Sequence, residues 1–117
     1  MASIAAALKE LLAEQAVSVE DVLARHFTDS YRQSTNGEWI DRAAFADQMT
    51  RLRPHVDHIE ITVLDEVSQG SAYAERHVIL VTQRDGGMLR QEVFLFAQLA
   101  EDGRFDSLEE LVRPLPA

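Results

Sequence analysis

Two long β-rich runs dominate the middle of the sequence, Tyr73-Ala-Glu-Arg-His-Val-Ile-Leu-Val-Thr82 and Met88 to Ala100, with Arg84-Asp-Gly-Gly87 between them. Glycines after an aspartate mark a tight turn, and the flanking residues are rich in β-branched and aromatic types, so the pattern predicts an antiparallel pair. At their centres, Val78 to Val81 and Val93 to Ala97, the runs are almost continuously apolar. Strands of that kind need cover on both faces. Helices can supply one cover. A second copy of the sheet can supply the other, so a homodimer through the sheet is expected.

The N-terminal half provides the helices. Ile4, Leu8, Leu11 and Leu12 share one helical face. Ser18 is an N-cap with Asp21 three residues on, and Val19, Leu23, Phe27 and Tyr31 recur four apart, which predicts a second helix to about Ser30. His26, beside that stripe, reads as a half-buried packing residue. Gln33 to Ile40 read as a turn and a short extended segment, with Asn36-Gly37 supplying the positive-φ position. Trp39, the only tryptophan, either walls a pocket or is buried where a third helix begins. Asp41 caps that helix, Phe45, Met49 and Leu52 form its apolar face, and Pro54 ends it.

From Val56 the period changes to two, with Ile59, Ile61 and Val63 on one side of a strand. His55 and His58 then point to opposite sides of an extended chain, so they are not read as a metal pair. Gln69-Gly70-Ser71 turns the chain into the Tyr73 strand, and Asp102-Gly103 signals a further hairpin before Phe105 to Val112. That last segment reads as a strand completing the sheet, although Ser107-Leu-Glu-Glu110 also matches a helix cap. The class is α+β: about three N-terminal helices packed on a mainly antiparallel sheet, in one domain over residues 1–117.

Composition narrows the functions. With no cysteine, disulfides, thiolate metal sites and cysteine nucleophiles are excluded, and a reducing compartment fits. A formal net charge of −9 repels phosphate backbones, so nucleic acid is not an expected partner. The apolar stretch Ile4 to Leu8 is broken by Lys9 and Glu10 and lacks a preceding basic region, unlike a signal peptide. No run approaches the ~20 apolar residues of a membrane span, so no membrane partner and a cytoplasmic location are expected. The sequence has no glycine-rich phosphate cradle, serine elbow or metal cluster, and no cofactor is expected.

Polar residues inside apolar strands hint at a pocket. A two-residue loop at Asp85-Gly86 or Gly86-Gly87 pairs odd positions of the first strand with even positions of the second. His77, Ile79 and Val81 then share a face with Glu92, Phe94 and Phe96. Arg76, Val78 and Leu80 go to the opposite face with Val93, Leu95 and Ala97. The same rule at Asp102-Gly103 adds Glu109, Leu111 and Arg113 to the His77 face, and a bulge at either turn reverses the grouping. A carboxylate beside an imidazole orients its tautomer, which suits His77 as a general acid/base with Glu92 as its orienter. Cross-strand His–Glu and Arg–Glu pairs also stabilise sheets and dimer interfaces. Arg76, alone among Val78, Leu80, Val93 and Leu95, needs either a partner carboxylate or an anionic or carbonyl-bearing ligand.

The element order and several motifs resemble the nuclear transport factor 2-like superfamily, and within it the SnoaL-like group. The motifs are Phe27-Thr-Asp-Ser-Tyr31 ahead of Asn36-Gly37, Asp41-Arg-Ala-Ala-Phe45, Ala74-Glu-Arg-His77, and Asp102-Gly-Arg-Phe105 followed by Glu109-Glu110. The resemblance covers about Val19 to Pro114. It implies a cone-shaped α+β roll with a curved sheet and a site at the open end of the cone. The family includes polyketide cyclases, ketosteroid isomerases, limonene epoxide hydrolases and dehydratases, alongside non-enzymatic binders. The resemblance therefore implies a small, mostly apolar oxygenated molecule as partner and cofactor-independent proton transfer, with a non-catalytic binding or dimerisation module as the alternative. Arg76 matches the arginine of the epoxide hydrolases' Arg-x-Asp arrangement, but Val78 stands where the aspartate belongs. Arg113 stands roughly where the family's patterns tend to close with an acid. His77, Glu92 and Glu109 or Glu110 are the candidate replacements. The expected catalytic residues are thus His77, Glu92 and Arg76, with Tyr31, Trp39, Val78, Leu80, Leu95, Glu109 and Glu110 against the ligand. Arg76 or Tyr31 would stabilise enolate charge.

Overall fold

Three side-chain caps start the helices of the computed structural model, which describes residues 3–116. Ser3, Ser18 and Asp41 each accept a hydrogen bond from the backbone N–H three residues on, satisfying a donor that a helix start leaves free. The helices are α1 (Ile4–Leu12), α2 (Val19–His26) and α3 (Arg42–Leu52), the last followed by a short 3-10 turn at Arg53–His55 that contains Pro54. Six strands follow the chain as β1 (Phe27–Thr35), β2 (Glu38–Asp41), β3 (Val56–Gln69), β4 (Ala72–Gln83), β5 (Met88–Leu99) and β6 (Phe105–Leu115). They form one curved sheet in the order β2-β1-β6-β5-β4-β3, antiparallel throughout except between β1 and β6. Among the described residues no helix is long and apolar enough to cross a membrane.

The second helix is shorter than its stripe predicts. It stops at His26, and Phe27 begins a nine-residue strand. Residues four apart share a helix face, but four is even, so they share a strand face as well. Phe27 and Tyr31 therefore continue the same buried surface in extended chain. β1 turns into β2 through Asn36 (φ 51°) and Gly37 (φ 90°), a two-residue hairpin whose central positions both need positive φ.

Turn length then decides the two faces of the sheet. Between β4 and β5 the loop holds three residues, Arg84-Asp85-Gly86, closed by Gln83 N–H on Gly87 O (2.8 Å) and Gly86 N–H on Gln83 O (3.0 Å). Gly86 at φ 90° is the left-handed third residue of that loop. Odd positions consequently pair with odd ones: His77 lies opposite Val93, and Val78 opposite Glu92. This corrects the expectation that His77 shares a face with Glu92. Asp102-Gly103 makes the same three-residue turn, closed by Ala100 N–H on Arg104 O (2.8 Å). A register shift between Gln98 and Leu99 then restores the expected pairing of Glu92 with Arg113, Phe94 with Leu111 and Phe96 with Glu109.

The inner face carries Tyr73, His77, Ile79, Val93, Leu95, Ala97 and Leu108, buried under the helices with Phe27 at their centre. Phe27 meets Tyr31, Phe45 and Phe105 at ring distances of 4.5, 5.4 and 5.7 Å. One buried cation holds the helical layer. The Arg53 guanidinium donates to the carbonyls of Glu10 (3.0 Å), Leu11 (2.8 Å) and Val17. Glu10 and Leu11 lie in the last turn of α1, where carbonyls lack helical partners and a cation meets the negative end of the dipole. Arg53→Met should cost about 3 kcal/mol, because several charge-assisted bonds vanish and buried carbonyls are left unpaired. The expected signs are a lower urea midpoint and faster amide exchange in α1 than in β4 or β5; an unchanged midpoint would show that the clasp contributes nothing.

Candidate functional site

Between the helices and the inner face lies a cavity of about 430 Å³. Its walls are mainly apolar, with Leu8 and Leu12 from α1, Phe45 and Met49 from α3, and Ile79, Val93 and Leu108 from the sheet. A cavity of this size and lining suits a small organic molecule. Polar groups come from β1 (Tyr31, Gln33, Thr35), β4 (His77, Gln83), β5 (Gln91) and β6 (Glu110), with Gln48 and His55 from the helical side.

Four of these groups form a directed chain. Tyr31 Oη donates to Gln33 Oε1 (2.8 Å), Gln33 Nε2 donates to Thr35 Oγ1 (3.4 Å), and Thr35 Oγ1 donates to Glu110 Oε2 (2.8 Å). The strand period explains it: Tyr31, Gln33 and Thr35 alternate onto one face of β1, and the parallel pairing sets Thr35 beside Glu110. Burial pushes the Glu110 carboxyl above its ordinary value, against smaller opposing pulls from the Thr35 hydroxyl and the charge of His77. Burial, then the charge of Glu110, pushes the Tyr31 phenol up, so it stays a neutral donor.

The residues expected at the site divide between two faces. His77 and Tyr31 line the cavity, and of the pair Glu109 and Glu110 it is Glu110 that does so. Leu95 is buried on the inner face but is not part of the lining. Arg76, Val78 and Leu80 lie on the outer face, opposite His77 by strand alternation, and Glu92 and Glu109 lie there with them because the three-residue loop inverts the assumed pairing. There Arg76 has its carboxylates, Asp65 at 2.9 Å and Glu92 at 3.8 Å, and it also stands over Phe94 at 5.7 Å. Glu92 in turn accepts from Arg113 at 2.6 Å. Trp39 is neither buried nor in the cavity; it is 45% exposed on β2, with Arg32 stacked 4.4 Å from its ring. His55 reaches the lining, whereas His58 is exposed beside Glu60, and His26 pairs with Glu10 at 2.9 Å. Gln33 and Thr35 were missed by sequence reasoning. Their alternation after Tyr31 is the signal that a strand there would have revealed.

No protein-family model matches the chain. An uncharacterized protein of Schizosaccharomyces pombe is 30% identical over 84 residues, which is 72% of this chain and 64% of that relative, so the chain spans less than two thirds of its length. Solved structures align over nearly all of it. A nuclear transport factor 2-like protein of unknown function from Exiguobacterium sp. 255-15 has a TM-score of 0.70 at 18% identity, covering 98% of this chain and 100% of that one. The chain has the nuclear transport factor 2-like fold. A SnoaL-like polyketide cyclase candidate from Shewanella denitrificans has a TM-score of 0.72 at 8% identity over 92% of this chain and 85% of that one. IdmH from Streptomyces antibioticus, also a polyketide cyclase candidate, has 0.71 at 14% identity over 93% and 88%. The nuclear transport factor 2-like cone thus accounts for the three helices, the curved sheet and the cavity between them.

A raised carboxyl has a consequence for stability. Folded Glu110 holds its proton more tightly than the unfolded chain does, so this contribution is full below the ordinary value of 4.5 and is lost as pH rises through the raised folded value. Glu110→Gln removes it. The variant should gain stability over wild type across that window and show no gain at lower pH, read from urea midpoints along a pH series. A difference that does not vary with pH would remove Glu110 from the buried, perturbed groups.

Proposed function

We propose that the cavity binds a small, mostly apolar molecule bearing a carbonyl or hydroxyl, and that the chain catalyses cofactor-independent proton transfer on it, of the isomerase, cyclase or dehydratase type. One observation carries this reading: a single carboxyl, Glu110, closes a directed hydrogen-bond chain inside an apolar cavity that His77 also lines. Burial moves such a carboxyl toward the working pH, where it can both accept and return a proton. Glu110 takes a proton from the carbon beside a carbonyl, the C–H electron pair becomes the C=C bond of an enolate, and the carbonyl oxygen takes the charge. A donor on His77 stabilises that oxygen, and return of the proton at another carbon completes an isomerisation. Fold neighbours described as polyketide cyclase candidates support the chemistry by analogy. A cytoplasmic setting belongs to the same reading and rests on the cysteine-free sequence.

The probe is 2-tetralone, a compact ketone with acidic α-hydrogens, followed by NMR as its α-hydrogens exchange in heavy water. Wild type should accelerate the exchange, and Glu110→Gln should lose about 10²-fold or more of that acceleration while still binding the ketone. Binding without any acceleration by wild type would leave a non-catalytic ligand binder.

We place a second copy of the chain on the outer face. Phe94, Phe96 and Leu111 are exposed there by 43%, 53% and 65%. Beside them runs a ladder of alternating charge across four strands, Asp65, Arg76, Glu92 and Arg113. Two such ladders related by a twofold axis are self-complementary, each positive end meeting the other's negative end. Leu111→Asp should convert a dimer to a 13.2 kDa monomer in sedimentation equilibrium. A wild-type chain that sediments as a monomer at all concentrations would refute the interface.

A further inference from the structure

Beside His77 sits a carboxylate that the proton-transfer reading does not use. Glu75 lies two residues earlier on β4 and on the same face; its side chain has 0% exposure and that of His77 has 1%. His77 Nδ1 is 3.4 Å from Glu75 Oε2. Among the described residues, neither carboxylate oxygen of Glu75 and neither ring nitrogen of His77 has a hydrogen-bond partner. Their cross-strand neighbours on β5 are Leu95 and Val93. The other titratable groups near the pair are Tyr73 of β4, which donates to Glu66 of β3, and Glu110 of β6, while Tyr31 of β1 and His55 of the 3-10 turn line the same cavity as His77. α1 and α3 bring uncharged side chains to this cavity, such as Ile4, Leu8 and Phe45.

A net charge at zero exposure is strongly disfavoured, so the pair settles in a state of zero net charge. Two such states put one hydrogen between Nδ1 and Oε2 and leave no other O–H on the acid. In one, an imidazolium faces a carboxylate; in the other, a neutral imidazole accepts at Nδ1 from a carboxylic acid. The proton between the groups sits on Nδ1 in the first and on Oε2 in the second. Nε2 carries a hydrogen in both. A neutral imidazole with its hydrogen on Nδ1 would instead strand the Glu75 O–H at zero exposure, where neither carboxyl oxygen has another partner.

We infer that Glu75 is a positioning residue that holds His77 as an Nε2–H donor. His77 then binds a ligand oxygen, and Glu110 is left as the base. A donor and a carboxylate facing one cavity select a ligand with an oxygen acceptor beside an acidic C–H, an enolisable ketone or aldehyde. This use of the pair rests on the proton-transfer reading, whereas the proton itself is measured without any substrate.

The experiment is two-bond proton–nitrogen NMR of protein labelled with ¹⁵N-histidine, from about pH 5 to 8, the range in which a free histidine changes charge. The His77 signals are assigned by their loss in His77→Gln. Wild type should show an N–H type shift at Nε2 throughout the series. In Glu75→Leu, a replacement that buried ionic sites often tolerate, the ring loses the partner at Nδ1 and Nε2 should become bare in part of the series. A bare Nε2 in wild type, or a Glu75→Leu ring that behaves like wild type, would overturn the inference. Should the leucine variant fail to fold, the wild-type spectrum decides by itself. A fixed Nε2–H in a protein that exchanges no ketone hydrogen would uphold the role of Glu75 and remove the catalytic reading. Rapid exchange with a bare Nε2 would do the reverse.

Discussion

A strand has two faces, so the number of residues in a turn determines which half of its side chains meets the interior. In this chain the loop Arg84-Asp85-Gly86 makes that choice for the whole site. It turns His77, Ile79, Gln91 and Val93 inward and sends Arg76, Val78, Glu92 and Phe94 outward. The inner face thereby holds few charges, each near a polar partner, and the outer face holds the alternating ladder. The cavity lining and the charged ladder are separated by the thickness of one strand.

The helical layer completes what the sheet begins. Residues of α1 and α3 form much of the cavity wall, and the Arg53 guanidinium fixes the end of α1 to the end of α3. A buried cation bonded only to carbonyls is tolerated because helix termini leave such acceptors free. The cavity walls that α1 and α3 supply are thus tied to one another through Arg53.

Local features of the fold were legible in the sequence. Ser18, Asp41, Asn36-Gly37 and Gly70 act within a few residues of themselves, and they mark helix starts and turns as expected. Features set by counting across a distance were not. Asp-Gly suits loops of two and of three residues, and one extra residue moved Glu92 away from His77. The grouping of Glu92 with Glu109, Leu111 and Arg113 survived because a second odd turn and a bulge at Asp106 cancel. Phe27 and Tyr31 looked helical since a spacing of four satisfies both periods, and that hid β1 with its Gln33 and Thr35. Glu75 stood out in neither composition nor spacing; only its complete burial beside His77 distinguishes it.

The parallel pairing of β1 with β6 joins residues some seventy positions apart, and Glu110 meets Thr35 only through it. Closing so long a loop is costly in chain entropy and is repaid only when the intervening strands are already in place. The cavity's carboxyl, Glu110, thus joins its hydrogen-bond chain only through a contact between distant parts of the sequence. Assembly of the Tyr31–Gln33–Thr35–Glu110 chain and closure of the sheet between β1 and β6 are therefore one event.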